Sequence, residues 1–140
     1  MIFHKTKIEG AWIIELEPRV DARGFFMRTY DKEIFEEHGL PTDWVQENNA
    51  FSKDKGTIRG LHFLYPSKSE AKLISMAAGE GFWVFLDVRK NSPTLGKWDS
   101  VVLSAEKHNM LFIPRGFANG VCTLSDNCYA LYHMDNYYDD

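Results

Sequence analysis

The sequence predicts an all-β fold, a sandwich or barrel of about ten short strands with one short helix. Three observations indicate this class. Short segments rich in Val, Ile, Phe, Tyr and Trp recur along the chain, with apolar residues at a period near two. Turn-forming Gly, Pro, Asn and Asp residues separate these segments at regular intervals. Only one segment carries both a helical pattern and capping residues at its two ends.

The first half of the chain contains the helix and four of the predicted strands. The helix is expected over Asp31–Gly39, because Asp31 can cap its start and Gly39 can end it. The residues 18–24 are expected to form a turn. The strands are expected at Ala11–Glu17, Phe25–Tyr30, Trp44–Ser52 and Gly56–Leu64.

The second half of the chain consists of shorter predicted strands that turns interrupt. A loop is expected at residues 66–69 and turns are expected at residues 79–81 and 91–96, where Gly, Pro, Ser and Asn cluster. The strands are expected at Ala71–Ala78, Phe82–Arg89, Ser100–Ser104, Met110–Pro114, Gly120–Leu124 and Asn127–Asp135. A chain of 140 residues suits one domain, so residues 1–140 are expected to share one core.

Composition and charge exclude several classes of function. The net charge of −4 provides no basic surface for nucleic acid, and no apolar run is long enough to span a bilayer. The N-terminus lacks the apolar stretch of a signal peptide. Cys122 and Cys128 are too few for a disulfide framework and lack zinc-site spacing. We therefore expect a cytoplasmic protein with buried free thiols.

The segment Gly56–Leu64 contains the first candidate site residues, Arg59 and His62. They are three positions apart, so a regular strand would direct them to opposite faces of the sheet. Gly60 lies between them, and a glycine inside a strand often marks a bulge. A bulge at Gly60 would bring both side chains toward one cavity. The alternative is an ordinary strand with a surface arginine and a core histidine.

Three polar residues within apolar strand patterns, His62, Lys72 and Tyr132, suit proton abstraction next to a carbonyl group. A histidine can act as the base near neutral pH, a tyrosine as the acid on the opposite face, and a lysine can stabilise the enolate oxygen. Each residue also has a structural alternative. Lys72 would be an edge residue with its ammonium in water, and Tyr132 would be a core tyrosine with a satisfied hydroxyl.

Metal chemistry is the competing expectation for a β-sandwich with a cavity. None of the five histidines forms a His-x-His pair, and no Glu follows His62 at close spacing. A metal site is therefore not expected. The sequence also lacks a glycine-rich phosphate loop, a Ser or Cys nucleophile motif and a paired-carboxylate motif. The five histidines are His4, His38, His62, His108 and His133.

Several of these segments form an ordered series that resembles one known family. The series reads Asp21-Ala22-Arg23-Gly24-Phe25-Phe26, Val45-Gln46-Glu47-Asn48, Arg59-Gly60-Leu61-His62-Phe63, Ala71-Lys72-Leu73, Asp87-Val88-Arg89-Lys90-Asn91-Ser92-Pro93-Thr94-Leu95-Gly96, Ile113-Pro114-Arg115-Gly116-Phe117-Ala118, and Tyr132 with Asn136-Tyr137-Tyr138. With these motifs the chain resembles the nucleotide-sugar 3,5-epimerases, the family of dTDP-4-dehydrorhamnose 3,5-epimerase. No single motif is specific for this family, but the whole series in this order is specific for it.

The resemblance implies a jelly-roll, cupin-like subunit, which is a double-stranded β-helix, that forms a homodimer and uses neither a metal nor an organic cofactor. It implies a nucleotide-diphosphate 4-keto-6-deoxy sugar as substrate, in deoxysugar and surface polysaccharide biosynthesis. His62 matches the base, Tyr132 the acid, and Lys72 the residue near the keto oxygen. The remaining matches are substrate contacts: Arg59 to the diphosphate, Arg23, Gln46 and Asn48 to the nucleotide, some across the dimer, and Tyr138 stacked on the base.

The chain also departs from the family pattern. Asn119 replaces an active-site histidine, Arg28 stands where a nucleotide-side Glu is usual, and both are expected to face the substrate. Leu64 replaces a Gln, and Trp83 replaces an Asp. The sequence ends at Asp140 without the segment that carries the aspartate partner of the catalytic histidine. Two functions stay open: an epimerase or isomerase acting at one carbon or at both, and a weak or silent nucleotide-sugar binding protein.

Overall fold

The computed structural model describes residues 1–137, and the predicted all-β class is confirmed. The expectation for Tyr138 lies outside the described residues. Within residues 1–137 there are twelve strands and one helix. The elements are β1 Ile2–Lys5, β2 Trp12–Glu15, β3 Arg19–Asp21, β4 Gly24–Phe26, α1 Lys32–Glu37, β5 Gln46–Ser52, β6 Ile58–His62, β7 Lys72–Ala78, β8 Glu80–Asp87, β9 Trp98–Ser104, β10 Asn109–Ile113, β11 Phe117–Thr123 and β12 Cys128–Met134.

The strands form two main antiparallel sheets and one separate hairpin. The larger sheet has the strand order β1-β2-β10-β7-β12-β5, and the smaller has the order β6-β11-β8-β9. The hairpin pairs β3 with β4. Consequently β7 is an interior strand, whereas β5 and β6 are edge strands of different sheets.

The main core lies between the two sheets and explains why they stack. Along β8, residues at alternate positions are buried, which is the expected pattern for a strand with one face on a core. Trp83 and Phe85 on β8 pack in one buried cluster with Ile74 on β7 and Leu111 on β10. Burial of large apolar side chains of this kind is the dominant stabilising contribution to such a fold.

Helix α1 covers the outer face of the larger sheet. Its residue Phe35 is fully buried in a second cluster that includes Leu73 and Phe112 from the sheet. The side chain of Asp31 accepts a hydrogen bond from the backbone N–H of Ile34 and so caps the helix. The sequence therefore identified both the helix and its capping residue.

Some predicted boundaries are wrong at the N-terminal end of the chain. Strand β1 was not expected, and residues 18–24, expected as a turn, contain strand β3. The strand expected over Phe25–Tyr30 ends at Phe26. All residues of β3 and β4 are exposed, so this hairpin shows no core-facing alternation. Cys128 is a buried free thiol as expected, but Cys122 is only half-buried.

Among residues 1–137 no helix is long and apolar enough to cross a membrane.

Candidate active site

A cavity of about 410 Å³ opens between the two sheets, and polar side chains from both sheets line it. The smaller sheet contributes residues of β6, β8 and β11, and the larger sheet contributes residues of β5, β7 and β12. The polar lining residues are Asn48, Arg59, His62, Glu70, Lys72, Asn119 and Tyr132. Six of the seven belong to the site that the sequence predicted from patterns or resemblance, and Glu70 does not.

The bulge expected at Gly60 is present and brings Arg59 and His62 to the same cavity. On β11, Asn119 is the partner of His62 and Val121 is the partner of Arg59, so β6 has one extra residue in this interval. Gly60 has a φ of 96°, a left-handed conformation that a glycine adopts without strain. Arg59 and His62 both line the cavity despite their odd spacing.

The guanidinium of Arg59 is held at the junction of the two edge strands. Its Nε donates to Ser52 Oγ at 3.0 Å, and its Nη2 donates to the Phe51 carbonyl at 2.9 Å. Both acceptors belong to β5 of the larger sheet. Arg59 therefore bridges the two sheets at the cavity with its guanidinium fixed in direction. A fixed guanidinium suits recognition of a phosphate group.

Tyr132 lies in the cavity wall that the larger sheet forms, opposite the wall that carries His62. In the register of the sheet, Tyr132 lies opposite Asn48 on β5 and opposite Ile74 on β7. Its ring packs edge-on against Trp83 at a centroid distance of 5.7 Å. Burial raises the pKa of the Tyr132 phenol, and the charge of Arg59 opposes part of that rise. The phenol is consequently protonated at neutral pH and is available as a proton donor.

Lys72 lies at the start of β7, an interior strand, so the alternative of an edge position is wrong. Its side chain is 17% exposed and lines the cavity. Its Nζ lies 2.9 Å from Oε1 of Glu70, whose side chain is 5% exposed. Sequence reasoning missed Glu70 because it lies in a polar loop. The available signal was its position two residues before Lys72, on the same face of an extended chain.

The amide residues differ in how close they lie to the cavity. Asn48 and Asn119 line it, and Asn119 is 5% exposed. Gln46 is not among the lining residues, but its Nε2 donates to Asn48 Oδ1 at 3.3 Å. Asn48, Asn119 and Tyr132 thus give the cavity neutral hydrogen-bonding groups beside its charged ones.

The structure does not bring Arg23 and Arg28 to this cavity. Arg23 lies in the β3–β4 turn and pairs with Asp21 at 2.7 Å, a contact that raises the pKa of Arg23 and lowers that of Asp21. Arg28 pairs with Asp31 at 2.8 Å and lines a separate cleft. A contact of either arginine with a ligand in this cavity would have to come from another subunit.

The charges around the cavity favour an anionic ligand. Arg59 and Lys72 are cationic, and Glu70 is the one acidic side chain among the described lining residues. Within residues 1–137 no ion pair of His62 is present. The same residues contain no group of three or more His, Cys, Asp or Glu side chains that could hold a metal ion.

Comparison with known proteins matches almost the whole chain to one family. The family model described as dTDP-4-dehydrorhamnose 3,5-epimerase matches residues 5–140. The chain is 46% identical to dTDP-4-dehydrorhamnose 3,5-epimerase of Methanothermobacter thermautotrophicus over 97% of this chain and 72% of that protein.

Two solved structures are similar to this chain over almost its full length. One is dTDP-4-dehydrorhamnose 3,5-epimerase of Bacillus anthracis with TDP and PPi bound, at a TM-score of 0.95 and 39% identity over 99% of this chain and 79% of that one. The other is a 3'-monoepimerase of Streptomyces bikiniensis in complex with dTDP-quinovose, at a TM-score of 0.90 and 30% identity over 97% of this chain and 69% of that one. These similarities confirm the predicted jelly-roll fold.

Proposed function

Because the chain belongs to the dTDP-4-dehydrorhamnose 3,5-epimerase family, we propose that it epimerises a dTDP-linked 4-keto-6-deoxy sugar for deoxysugar and surface polysaccharide biosynthesis. The observation that carries this proposal is the convergence of His62, Lys72 and Tyr132 on one cavity. The size of this cavity, about 410 Å³, suits a small ligand such as a sugar ring.

The reaction begins when the imidazole of His62 removes the proton from a carbon next to the 4-keto group. The electron pair of the broken C–H bond moves toward the keto oxygen and forms an enolate. The Lys72 ammonium stabilises the negative charge on that oxygen. A histidine is suited to this step because its pKa lies near neutral pH in the absence of perturbation.

Inversion requires that a proton be added to the face of the sugar ring opposite the one from which the first proton was removed. The two sheets carry the two groups that act on these opposite faces. His62 belongs to the smaller sheet and Tyr132 to the larger one. The Tyr132 hydroxyl donates its proton to the carbon, and the enolate electrons form the new C–H bond. Solvent then returns a proton to the phenolate, whose formation the charge of Arg59 favours, and takes the abstracted proton from the His62 imidazolium, so that both groups are restored.

The remaining contacts of the substrate follow from the charges of the cavity. Arg59 binds the diphosphate, and Gln46 and Asn48 bind on the nucleotide side. The reaction needs no cofactor, because proton transfers at a carbon next to a ketone require only a base, an acid and a stabilised enolate.

We further propose that the protein is a homodimer in which Arg23 and Arg28 reach the partner's cavity. The smaller sheet exposes apolar side chains on its outer face, among them Ile58, which is 74% exposed, Leu61 and Phe82. The β3–β4 hairpin exposes Val20, Phe25 and Phe26. Exposed apolar surface of this extent commonly marks an interface between subunits.

The experiment that tests the activity is solvent-deuterium exchange with a dTDP-4-keto-6-deoxy sugar. Incorporation of deuterium at carbon 3, carbon 5 or both, followed by NMR, supports the proposal and shows which carbons invert. The second candidate is a nucleotide-sugar binding protein, which Asn119 favours because it replaces an active-site histidine of the family pattern. Binding by calorimetry without any exchange would establish that alternative.

A further inference from the structure

The carboxylate of Glu70 has one partner in the described part of the chain, the ammonium of Lys72. Its Oε1 contacts Lys72 Nζ at 2.9 Å. Its Oε2 is buried and has no hydrogen-bond partner among residues 1–137. A buried carboxylate is costly unless a charge or a donor compensates it. Glu70 consequently depends on Lys72 for its compensation, and the two groups are held together.

The backbone around Glu70 is fixed on both sides. The N–H of Gly116 donates to Ser69 Oγ at 2.7 Å, and the N–H of Ala71 donates to Asp135 Oδ1 at 2.7 Å. Asp135 is itself paired with Arg115 at 3.0 Å. Because the residues before and after Glu70 are anchored to other parts of the chain, the backbone that carries this carboxylate is held in place beside Lys72.

Without a partner that is held in place, the side chain of Lys72 would be flexible. Its four-carbon stem allows many rotamers, and confining such a stem costs conformational entropy. The cavity also offers the ammonium a competing target, since a bound diphosphate would attract it. A contact that holds the ammonium at the wall keeps it available for an oxygen that develops charge during the reaction.

We infer that Glu70 is a positioning residue, which holds the Lys72 ammonium at the site where the enolate oxygen forms. This inference rests on the proposed epimerisation and adds a residue to that same site. Glu70 acts through Lys72 and need not touch the sugar. Its contribution is realised in the transition state, where the charge on the oxygen is greatest, and much less in the binding of the substrate.

The test compares Glu70→Ala with Glu70→Gln in the deuterium-exchange assay. Glu70→Ala should lower kcat about tenfold and change KM by less than about twofold, because the lost contribution belongs to the transition state. Glu70→Gln should restore most of the rate, because the amide oxygen still accepts a hydrogen bond from Lys72 Nζ. Glu106→Gln, on an exposed turn, is the matched control and should leave both constants unchanged.

A double-mutant cycle with Lys72→Met separates positioning from an independent role. If Glu70 acts through Lys72, Glu70→Ala should cost less than about twofold in the Lys72→Met background. Lys72→Met alone leaves the Glu70 carboxylate buried without compensation, so it should lower Tm, and adding Glu70→Ala should raise Tm again. Thermal melting followed by circular dichroism measures these changes in Tm, even in variants whose deuterium exchange is slow.

Three results would overturn the inference. Equal rate losses from Glu70→Ala in both backgrounds would mean that Glu70 acts independently of Lys72. A rise in KM at unchanged kcat would assign Glu70 to substrate binding instead. A failure of Glu70→Gln to rescue the rate of a folded protein would rule out the hydrogen bond as the cause. In each of these cases the native protein still exchanges deuterium, whereas its failure to do so would overturn the proposed function as well.

Discussion

Gly60 and Asn119 meet through their backbones: a Cβ built on Gly60 would lie 2.6 Å from the Asn119 carbonyl oxygen. This contact fixes the position of the β6 bulge against β11. Since the bulge brings Arg59 and His62 to one cavity, the absence of a side chain at residue 60 is a requirement of the site as well as of the strand.

We therefore expect Gly60→Ala to reduce both stability and exchange activity. The Cβ would collide with backbone, and the φ of 96° is strained for alanine, at a cost of ~1–3 kcal/mol in the free energy of unfolding. Urea denaturation measures that cost. Gly39→Ala is the matched control, because Gly39 also has a positive φ, of 68°, but open space around its Cβ. It should cost about 1 kcal/mol and leave exchange intact. Equal activity of both variants would contradict the role of the bulge.

A second prediction concerns Asp87, whose carboxylate is fully buried at the end of β8. Burial alone would raise the pKa of Asp87, but hydrogen bonds from Arg89, Ser92 and Thr94 outweigh it and hold the pKa well below its ordinary value. The Arg89 guanidinium lies 2.8 Å from Asp87 Oδ2, and Thr94 Oγ1 lies 2.6 Å from the same oxygen. These contacts attach the loop after β8 to the sandwich.

The sign of the pH dependence follows from the lowered pKa of Asp87. The stabilisation is complete above the unfolded-state value, about pH 4, and is lost as the pH falls toward the folded-state value. Asp87→Asn should cost about 3 kcal/mol near pH 7, because it leaves Arg89 without its charge partner. Its unfolding free energy should then fall less steeply than that of the native protein below about pH 4. Asp43→Asn, at an exposed position, should match the native protein at every pH.

The sequence was sufficient for the parts of the structure that depend on local pattern. The sandwich followed from strand alternation and turn residues, the helix from its capping by Asp31, and the bulge from a glycine inside an apolar strand. His62, Lys72 and Tyr132 were predicted together because polar side chains inside apolar strands must face a partner or a cavity. Each of these signals can be read from a few neighbouring residues.

The missed features depend on contacts between distant segments. Strand β1 is mostly exposed and forms the edge of the larger sheet, so its sequence lacks alternation. The β3–β4 hairpin is likewise exposed along its whole length. Glu70 lies in a polar loop, and its burial follows from anchoring by Gly116 and Asp135, which are remote in sequence. Contacts between segments that are remote in sequence cannot be predicted from a local sequence pattern.

The proposed dimer predicts that a charge on the outer face of the smaller sheet weakens association. Ile58→Glu places a carboxylate in the exposed apolar surface and should shift the mass measured by light scattering from dimer to monomer at micromolar concentration. Leu95→Glu introduces the same charge at a residue that is 52% exposed in the turn after β8 and should leave the mass unchanged. A monomeric native protein would contradict the proposal, and so would a dimer that Ile58→Glu does not affect.

The last prediction separates the roles of the two opposite cavity walls. His62→Asn should abolish exchange of the sugar proton with solvent, because no other base is proposed to begin the reaction. Tyr132→Phe removes only the phenolic hydroxyl and keeps the packing against Trp83. His62 then still removes the sugar proton and returns a solvent-derived proton to the same face of the sugar ring. The label therefore exchanges without inversion of the carbon. General acid or base assistance is typically worth ~10²–10⁴ in rate, so each loss is easy to measure.

The measurement follows deuterium incorporation and sugar configuration in the same sample by NMR. His4→Asn, at an exposed residue of β1, and Tyr129→Phe, on β12, are the matched controls and should behave as the native protein does. Lys72→Met should slow exchange and inversion together, because both pass through the same enolate. If His62→Asn still exchanges the label, or Tyr132→Phe inverts at the native rate, the base and the acid are assigned to the wrong side chains. Asn119, which is the β11 partner of His62 and lines the same cavity, would then be the next residue to substitute.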